Sequence, residues 1–518
     1  MHDQMEQKSD IHEELIRAEQ LIDEGRHEEA LDLMKNFEEK GKISLFDIIS
    51  CNLLKCKLLY QQGLYQDVVK LAELTYKESL GLGKSFLSLD ALLIMTDALI
   101  LLLELEKAFD IIKKGEELLK KLVHSLPKEY QKREASLNYE KGRYYEKTLD
   151  INLSAQHFEY SLKLREKLDA KPEAAISRKY LGWILGAHKG ELDRAIEYYK
   201  QSLVIFKKYN IKYHIGHVLC LMAGVYGFIG DVDRAIIVQK QSLVIFKELN
   251  NKPYMAKVLN NMADSYKMKG DLDHALDCIE NSMALCNELG FLRSHIYIYD
   301  FFIQILIDKG DLERAQIFLH DLEQFRDQLK DKSINVWYLF NRALVLKASP
   351  KAHNRDKAEE IFIQLLENED MAYEFTVRSL LNLCELLLIK LSSTTNLKVL
   401  DQILFYVNQI RDIAENSHSY LFLAETYLLQ AKLELLILDL KKAKESLDEA
   451  QKIAKEHGLS QLTERILKEQ DILLSQANKW ISLKDSTNSV LEFSNLTPLK
   501  EQIQYMLKKR QVLKLLKK

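Results

Sequence analysis

The heptapeptide QSLVIFK occupies residues 201–207 and returns unchanged at residues 241–247. The interval is forty residues, and a second motif keeps the same interval: GELDRA begins at Gly190, GDVDRA at Gly230, GDLDHA at Gly270 and GDLERA at Gly310. Residues 190–207 and 230–247 are identical at 13 of 18 positions. A fixed period of this length marks a stack of similar supersecondary units, so the repeat decides the fold before any single residue does.

The unit reads as a helical hairpin. Each glycine stands where one helix must stop, because glycine accepts the left-handed conformation common just past a helix end. The acidic residues after it open the next helix and face the positive end of its dipole. Then comes a small residue, Ala195, Ala235, Ala275 or Ala315, which lets two helices approach closely. From Ala195 the stripe Tyr199, Ser202 and Phe206, with Ile196 and Leu203 beside it, follows steps of three and four along one face. Ser202 and Ser242 are expected in a small packing slot, and Phe206 and Phe246 in the core. Pro172 and Pro253 precede the first helices of their units and suit a first helical turn, where no donor is missed. The unit near Tyr180 carries Leu181 and Gly182 one residue early, which predicts an insertion in its first helix or turn.

Weaker copies extend both ways. Gly25 with Ala30 and Gly63 with Val68 repeat the relation, and Ala108, Ser154, Ala358 and Ala443 fill the small-residue slot. The order Met262, Ala263, Tyr266, Gly270, Ala275, matched by Met222, Ala223, Tyr226, Gly230, Ala235, resembles the tetratricopeptide repeat. The forty-residue length is similar to the longer variant of kinesin light chains and spindle-orientation adaptors. The resemblance covers roughly residues 10–480. It implies an all-α solenoid of about eleven stacked antiparallel helix pairs, wound as a right-handed superhelix with a concave groove lined by first helices.

The expected organisation is a polar segment at 1–10, the repeat array at 11–481 with its most regular units at 172–325, a linker at 482–498, and a basic amphipathic helix at 499–518. The chain has 518 residues with only 18 Gly and 5 Pro, and 29% of its residues are charged. A net charge of −4 gives no basic surface for nucleic acid. No signal peptide opens MHDQMEQKSD, and Ala91 to Leu105 is too short to span a bilayer. Six scattered cysteines without a CxxC pair fit buried thiols in a reducing compartment. A cytoplasmic location is therefore expected.

The resemblance points to the first helices for binding. The family's peptide-holding Asn falls on Asn261, and an amide suits that task because it donates and accepts. On the same helix lie Lys257, Asn260, Asp264 and Lys267. Neighbouring units offer His217 and Cys220 on one side, and Tyr297, Asp300 and Gln304 on the other. Leu221 and Phe301 stand where Asn261 does in the adjacent units, so there is no ladder of repeated Asn.

Other motifs reduce to scaffold. SLGLGKS at 79–85 ends like a phosphate loop, but Glu78 stands where a glycine is needed and a helix, not a strand, precedes it. His214, His217 and Cys220 form H-x2-H-x2-C on a helix, with the third group rotated away and no acidic partner nearby. Cys278 and Cys286 are two turns apart, too far for a disulfide. Trp183, Trp337 and Trp480 read as packing residues. No catalytic pair stands out, and neither cofactor nor metal is expected. The C-terminal stretch from Leu499 holds seven Lys/Arg against Glu501, leaving about −10 on the remainder. It could cap the array or dock in its groove, bind an acidic partner, or touch an anionic membrane. The expected function is a non-catalytic scaffold that binds a peptide or helix of another protein. The alternative is a regulator switched by a ligand or by its own C-terminal helix.

Overall fold

The computed structural model describes residues 2–39, 44–289, 292–329, 332–368, 371–394, 397–436 and 439–485. The basic helix expected over 499–518, and the linker beyond Asp485, lie outside the described residues. All described elements are helices. The first pairs are α1 (His2–Asp23) with α2 (His27–Glu39), α3 (Leu45–Gln61) with α4 (Tyr65–Gly81), α5 (Ser85–Leu101) with α6 (Leu105–Lys121), and α7 (Pro127–Lys147) with α8 (Ile151–Lys167). Then follow α9 (Lys171–Trp183) with α10 (Leu192–Lys208), α11 (Lys212–Ile229) with α12 (Val232–Glu248), α13 (Lys252–Met268) with α14 (Leu272–Leu289), and α15 (Leu292–Asp308) with α16 (Leu312–Leu329). The last are α17 (Lys332–Ala348) with α18 (Ala352–Leu366), α19 (Tyr373–Thr394) with α20 (Leu397–Asn416), α21 (Tyr420–Leu436) with α22 (Leu440–Glu456), and α23 (Ser460–Asp485). Eleven helix pairs and a final helix therefore account for the described residues, as the repeat spacing implied.

The helix ends are built as the motif demands. Gly190, Gly230, Gly270 and Gly310 take φ of 69°, 100°, 80° and 77°. Asp231, Asp271 and Asp311 then accept a hydrogen bond from the backbone N–H three residues on, satisfying a donor that the helix leaves open. Arg194, Arg234, His274 and Arg314 each sit beside the acid that opens their helix.

The repeated heptapeptide has a clear structural role. Phe206, Phe246, Ser202 and Ser242 are fully buried. Ser242 Oγ donates to the Gly216 carbonyl at 2.8 Å, and Ser161, Ser202 and Ser282 do the same to Ala135, Ala175 and Ala256. In these four pairs one hydroxyl ties the second helix to the backbone of the first. Ser242→Ala is expected to cost about 1 kcal/mol, the net value of one such bond, measured by urea unfolding. The small-residue slots Ala30, Val68, Ala108, Ser154, Ala195, Ala235, Ala275, Ala315, Ala358 and Ala443 are all fully buried.

The extra residue anticipated near Tyr180 is absorbed by a π-helical turn, Ile184–His188, at the end of α9. All six cysteines are buried. Burial pushes the Cys51 thiol up to about 11 and the Cys56 thiol up to about 12, so both stay protonated. No described helix is long and apolar enough to cross a membrane.

The described residues divide into two compact units. The first comprises Met1–Lys267 and Asp271–Ser379; the second comprises Met268–Gly270 and the described residues from Leu380 on. In an ideal solenoid each repeat touches only its neighbours. The first unit departs from this. Asn251 Nδ2, after α12, donates to the Gln61 carbonyl at the end of α3, 190 residues away, at 2.8 Å. Tyr60 meets Tyr213 edge-on at 5.6 Å. Leu103, in the turn after α5, packs with Leu322, Ile334 and Tyr338. In the second unit α21 packs on α22, and Arg465 of α23 pairs with Glu425 at 2.5 Å and Glu385 at 3.5 Å.

Candidate functional site

A cation stands within the apolar spacing of α9. Ala175, Lys179 and Gly182 follow steps of four and three, and such a stripe faces the core. Lys179 is accordingly 1% exposed. Its Nζ meets His217 Nδ1 at 3.0 Å and His214 Nδ1 at 3.3 Å, both from α11. It also lies 4.8 Å from the Tyr180 ring. Burial, with Arg143 and Lys257 adding positive charge, drives the Lys179 amine well below the usual lysine range. Burial and the same cation cluster hold both imidazoles well below the usual histidine range. His217 Nε2 faces Tyr254 OH at 3.4 Å; where Lys179 donates to Nδ1, the imidazole proton sits on Nε2.

Around this centre the inner helices of the first unit contribute aromatic rings. Tyr213 sits edge-on to Tyr60, His214, His217 and Tyr254. Arg143 of α7 is 3% exposed, pairs with Asp97 of α5 and lies 5.4 Å from the Tyr180 ring. Asp97 also accepts from Tyr60 OH at 3.0 Å. The charge of Arg143 is thus matched, whereas Lys179 has imidazoles for partners.

Beside it runs the outward row of α13. Lys257 is exposed and its ammonium lies 5.7 Å from the Tyr254 ring and 5.9 Å from that of Trp183. Asn260 and Asn261 are half-buried. Asn261 Nδ2 reaches Cys220 Sγ at 3.8 Å, a weak acceptor, and Asn260 Oδ1 is buried without a hydrogen-bond partner. Gln239 of α12 donates to the Asn261 carbonyl and to Ser265, fixing the helix behind the amides. Asp264 is exposed. Lys267 donates to Gln304 at 3.2 Å, and Gln304 donates to Asp300 at 2.8 Å. Burial raises the Asp300 carboxyl, opposed by Arg378 and by the amides of Asn341 and Gln304. Arg378 in turn pairs with Glu374 at 2.9 Å.

The structure therefore brings Lys257, Asn260, Asn261, Asp264 and Lys267 onto one helix, with Asp300 and Gln304 linked to them through Lys267. His217 and Cys220 lie beneath this row: they are 4% and 2% exposed and have no open surface. The Tyr297 side chain lies outside the described residues. Sequence reasoning passed over Lys179, Arg143 and Arg378. The signal for Lys179 was present, a cation inside an apolar stripe. Trp183, read as packing alone, is half-buried beside Lys257.

The described residues thus form an all-helical repeat array of stacked antiparallel pairs, the architecture that the sequence resemblance implied. No protein-family model and no curated protein matches it. Among solved structures it is similar to a Rap protein complexed with competence and sporulation factor, at 14% identity over 85% of this chain and 99% of that one, TM-score 0.45. It is also similar to the apo form of the quorum sensor NprR from B. thuringiensis, at 16% identity over 71% of this chain and 99% of that one, TM-score 0.43. TPR-like repeats of a kinesin light chain of Podosopora anserina align at 16% identity over 39% of this chain and 96% of theirs, TM-score 0.29. The likeness is one of repeat architecture.

Proposed function

We propose that the chain is a non-catalytic protein-interaction scaffold, and that the α13 row of the first unit binds a peptide or helical segment of a partner protein. The observation that carries this reading is the state of two adjacent amides. Asn260 makes no side-chain hydrogen bond among the described residues, and Asn261 spends its amide N–H groups only on a thiol. A polar group left unmatched and half-buried costs free energy that a ligand backbone would recover by donating to and accepting from it. The flanking charges Lys257 and Asp264 offer both signs to a partner's side chains, and the second helices behind hold the row rigid through the serine–carbonyl bonds.

The test uses peptides selected from a random display library on the immobilised full chain. Asn261→Ala is expected to weaken their binding by about 1 kcal/mol, roughly five-fold in Kd, with the unfolding midpoint unchanged. Equal affinity for the wild type and for both Asn260→Ala and Asn261→Ala would move the binding face elsewhere on the array.

A further inference from the structure

We infer that the inner face of the first unit holds an oxyanion at Lys179, beside the amides of α13. In its protonated form Lys179 has three protons to donate. Two face His214 Nδ1 and His217 Nδ1, and the third meets no acceptor among the described residues. No carboxylate compensates the charge: the nearby charged groups that act on it are Arg143 and Lys257, both cationic. Arg143 is already matched by Asp97. Burial without a counter-charge disfavours the charged form of Lys179, and an anion supplied from outside would hold the amine protonated.

The surroundings suit such a guest. Where protonated Lys179 donates to His214 Nδ1, the imidazole proton sits on Nε2, which has no hydrogen-bond acceptor among the described residues. His214 is half-buried and Lys257 is exposed, so solvent reaches the edge of the cluster. The Tyr180 ring lies 4.8 Å from the Lys179 nitrogen and the Trp183 ring 5.9 Å from that of Lys257, and apolar neighbours of this kind strengthen charge-assisted hydrogen bonds. The oxyanion could be a small free anion such as phosphate, or the carboxylate of a peptide bound along α13. The second source rests on the reading proposed above; the first does not.

The experiment measures thermal unfolding of the full chain against inorganic phosphate and against acetate, with chloride holding the ionic strength constant. A saturable rise in Tm is expected, because a ligand that binds only the folded state stabilises it. Lys179→Met is expected to fold, since apolar replacement of an unmatched buried charge is often tolerated, and to lose the rise. Lys200→Met, at an exposed lysine of α10, should keep it. On the wild type, the imidazole NMR signals of His214 and His217 should move over the same concentration range, which tests the site even if the Lys179 variant does not fold. No saturable response, or unmoved imidazole signals, overturns the inference. With peptides from the display selection, amidating the C-terminus should weaken binding about ten-fold if the carboxylate occupies the site. If it does not while phosphate still binds, the guest is a free anion. Peptides that respond to Asn261→Ala but ignore phosphate, amidation and Lys179→Met would leave the α13 row standing and refute the anion site.

Discussion

Phe246→Ala is expected to destabilise the protein by about 3–5 kcal/mol, the usual cost of removing a fully buried phenyl ring. The ring is wholly shielded from solvent. It stacks on Tyr254 at 4.7 Å and presents an edge to Tyr213 at 6.1 Å. It also lies against the α11 backbone, where a Cβ on Gly216 would come within 3.1 Å of Phe246 Cζ. The backbone on that side cannot collapse far into the space, so a cavity would remain. Phe206→Ala should behave similarly, since that ring is equally buried and packs on His214 at 4.9 Å. Val244→Ala, two residues before Phe246, removes a side chain that is 55% exposed and should stay within about 0.5 kcal/mol. Urea unfolding of the three variants measures this. Comparable losses at Val244 and Phe246 would contradict the packing described.

The second large effect separates two glycines that occupy the same place in the repeat. Gly310 has φ of 77°, but nothing lies within 4 Å of where its Cβ would stand. Gly310→Ala should therefore cost only the left-handed conformation, about 1–2 kcal/mol. Gly190 has φ of 69°, and its Cβ would clash with the Tyr373 ring at Cδ2. Tyr373 is 6% exposed and its ring meets Phe228 edge-on at 6.0 Å, so it has little room to yield. Gly190→Ala should add an overpacking cost to the conformational one, about 2–5 kcal/mol in all. The readout is the difference between the two urea midpoints. Equal shifts would show that Tyr373 does not press on the Gly190 turn.

Much of the scaffold was legible in the sequence because its determinants are local. A left-handed glycine, an acid capping the next helix, an alanine where helices cross and a phenylalanine three turns on are all set within one forty-residue unit. The π-helical turn after Trp183 was legible for the same reason, as a one-residue offset against the neighbouring copies. The candidate site was legible only in outline. Asn261 was singled out by the resemblance to the tetratricopeptide repeat, and Lys257, Asn260, Asp264 and Lys267 by sharing its helix face.

What the sequence determined alone is thus the unit: its two helices, its turn chemistry and the identity of the residues that make pairs stack. What only the tertiary structure decided is where distant units meet. Asn251 reaches Gln61 across 190 residues, Tyr373 presses on Gly190, and His217 and Cys220 are covered rather than open. The physical reason is that each pair is rotated slightly on the one before it, and these small rotations accumulate along the array. Whether a turn or a side chain ends beside one five units away depends on that sum, which no local periodicity encodes. The repeated QSLVIFK lies on the local side of this division, and the Lys179 cluster lies on the other.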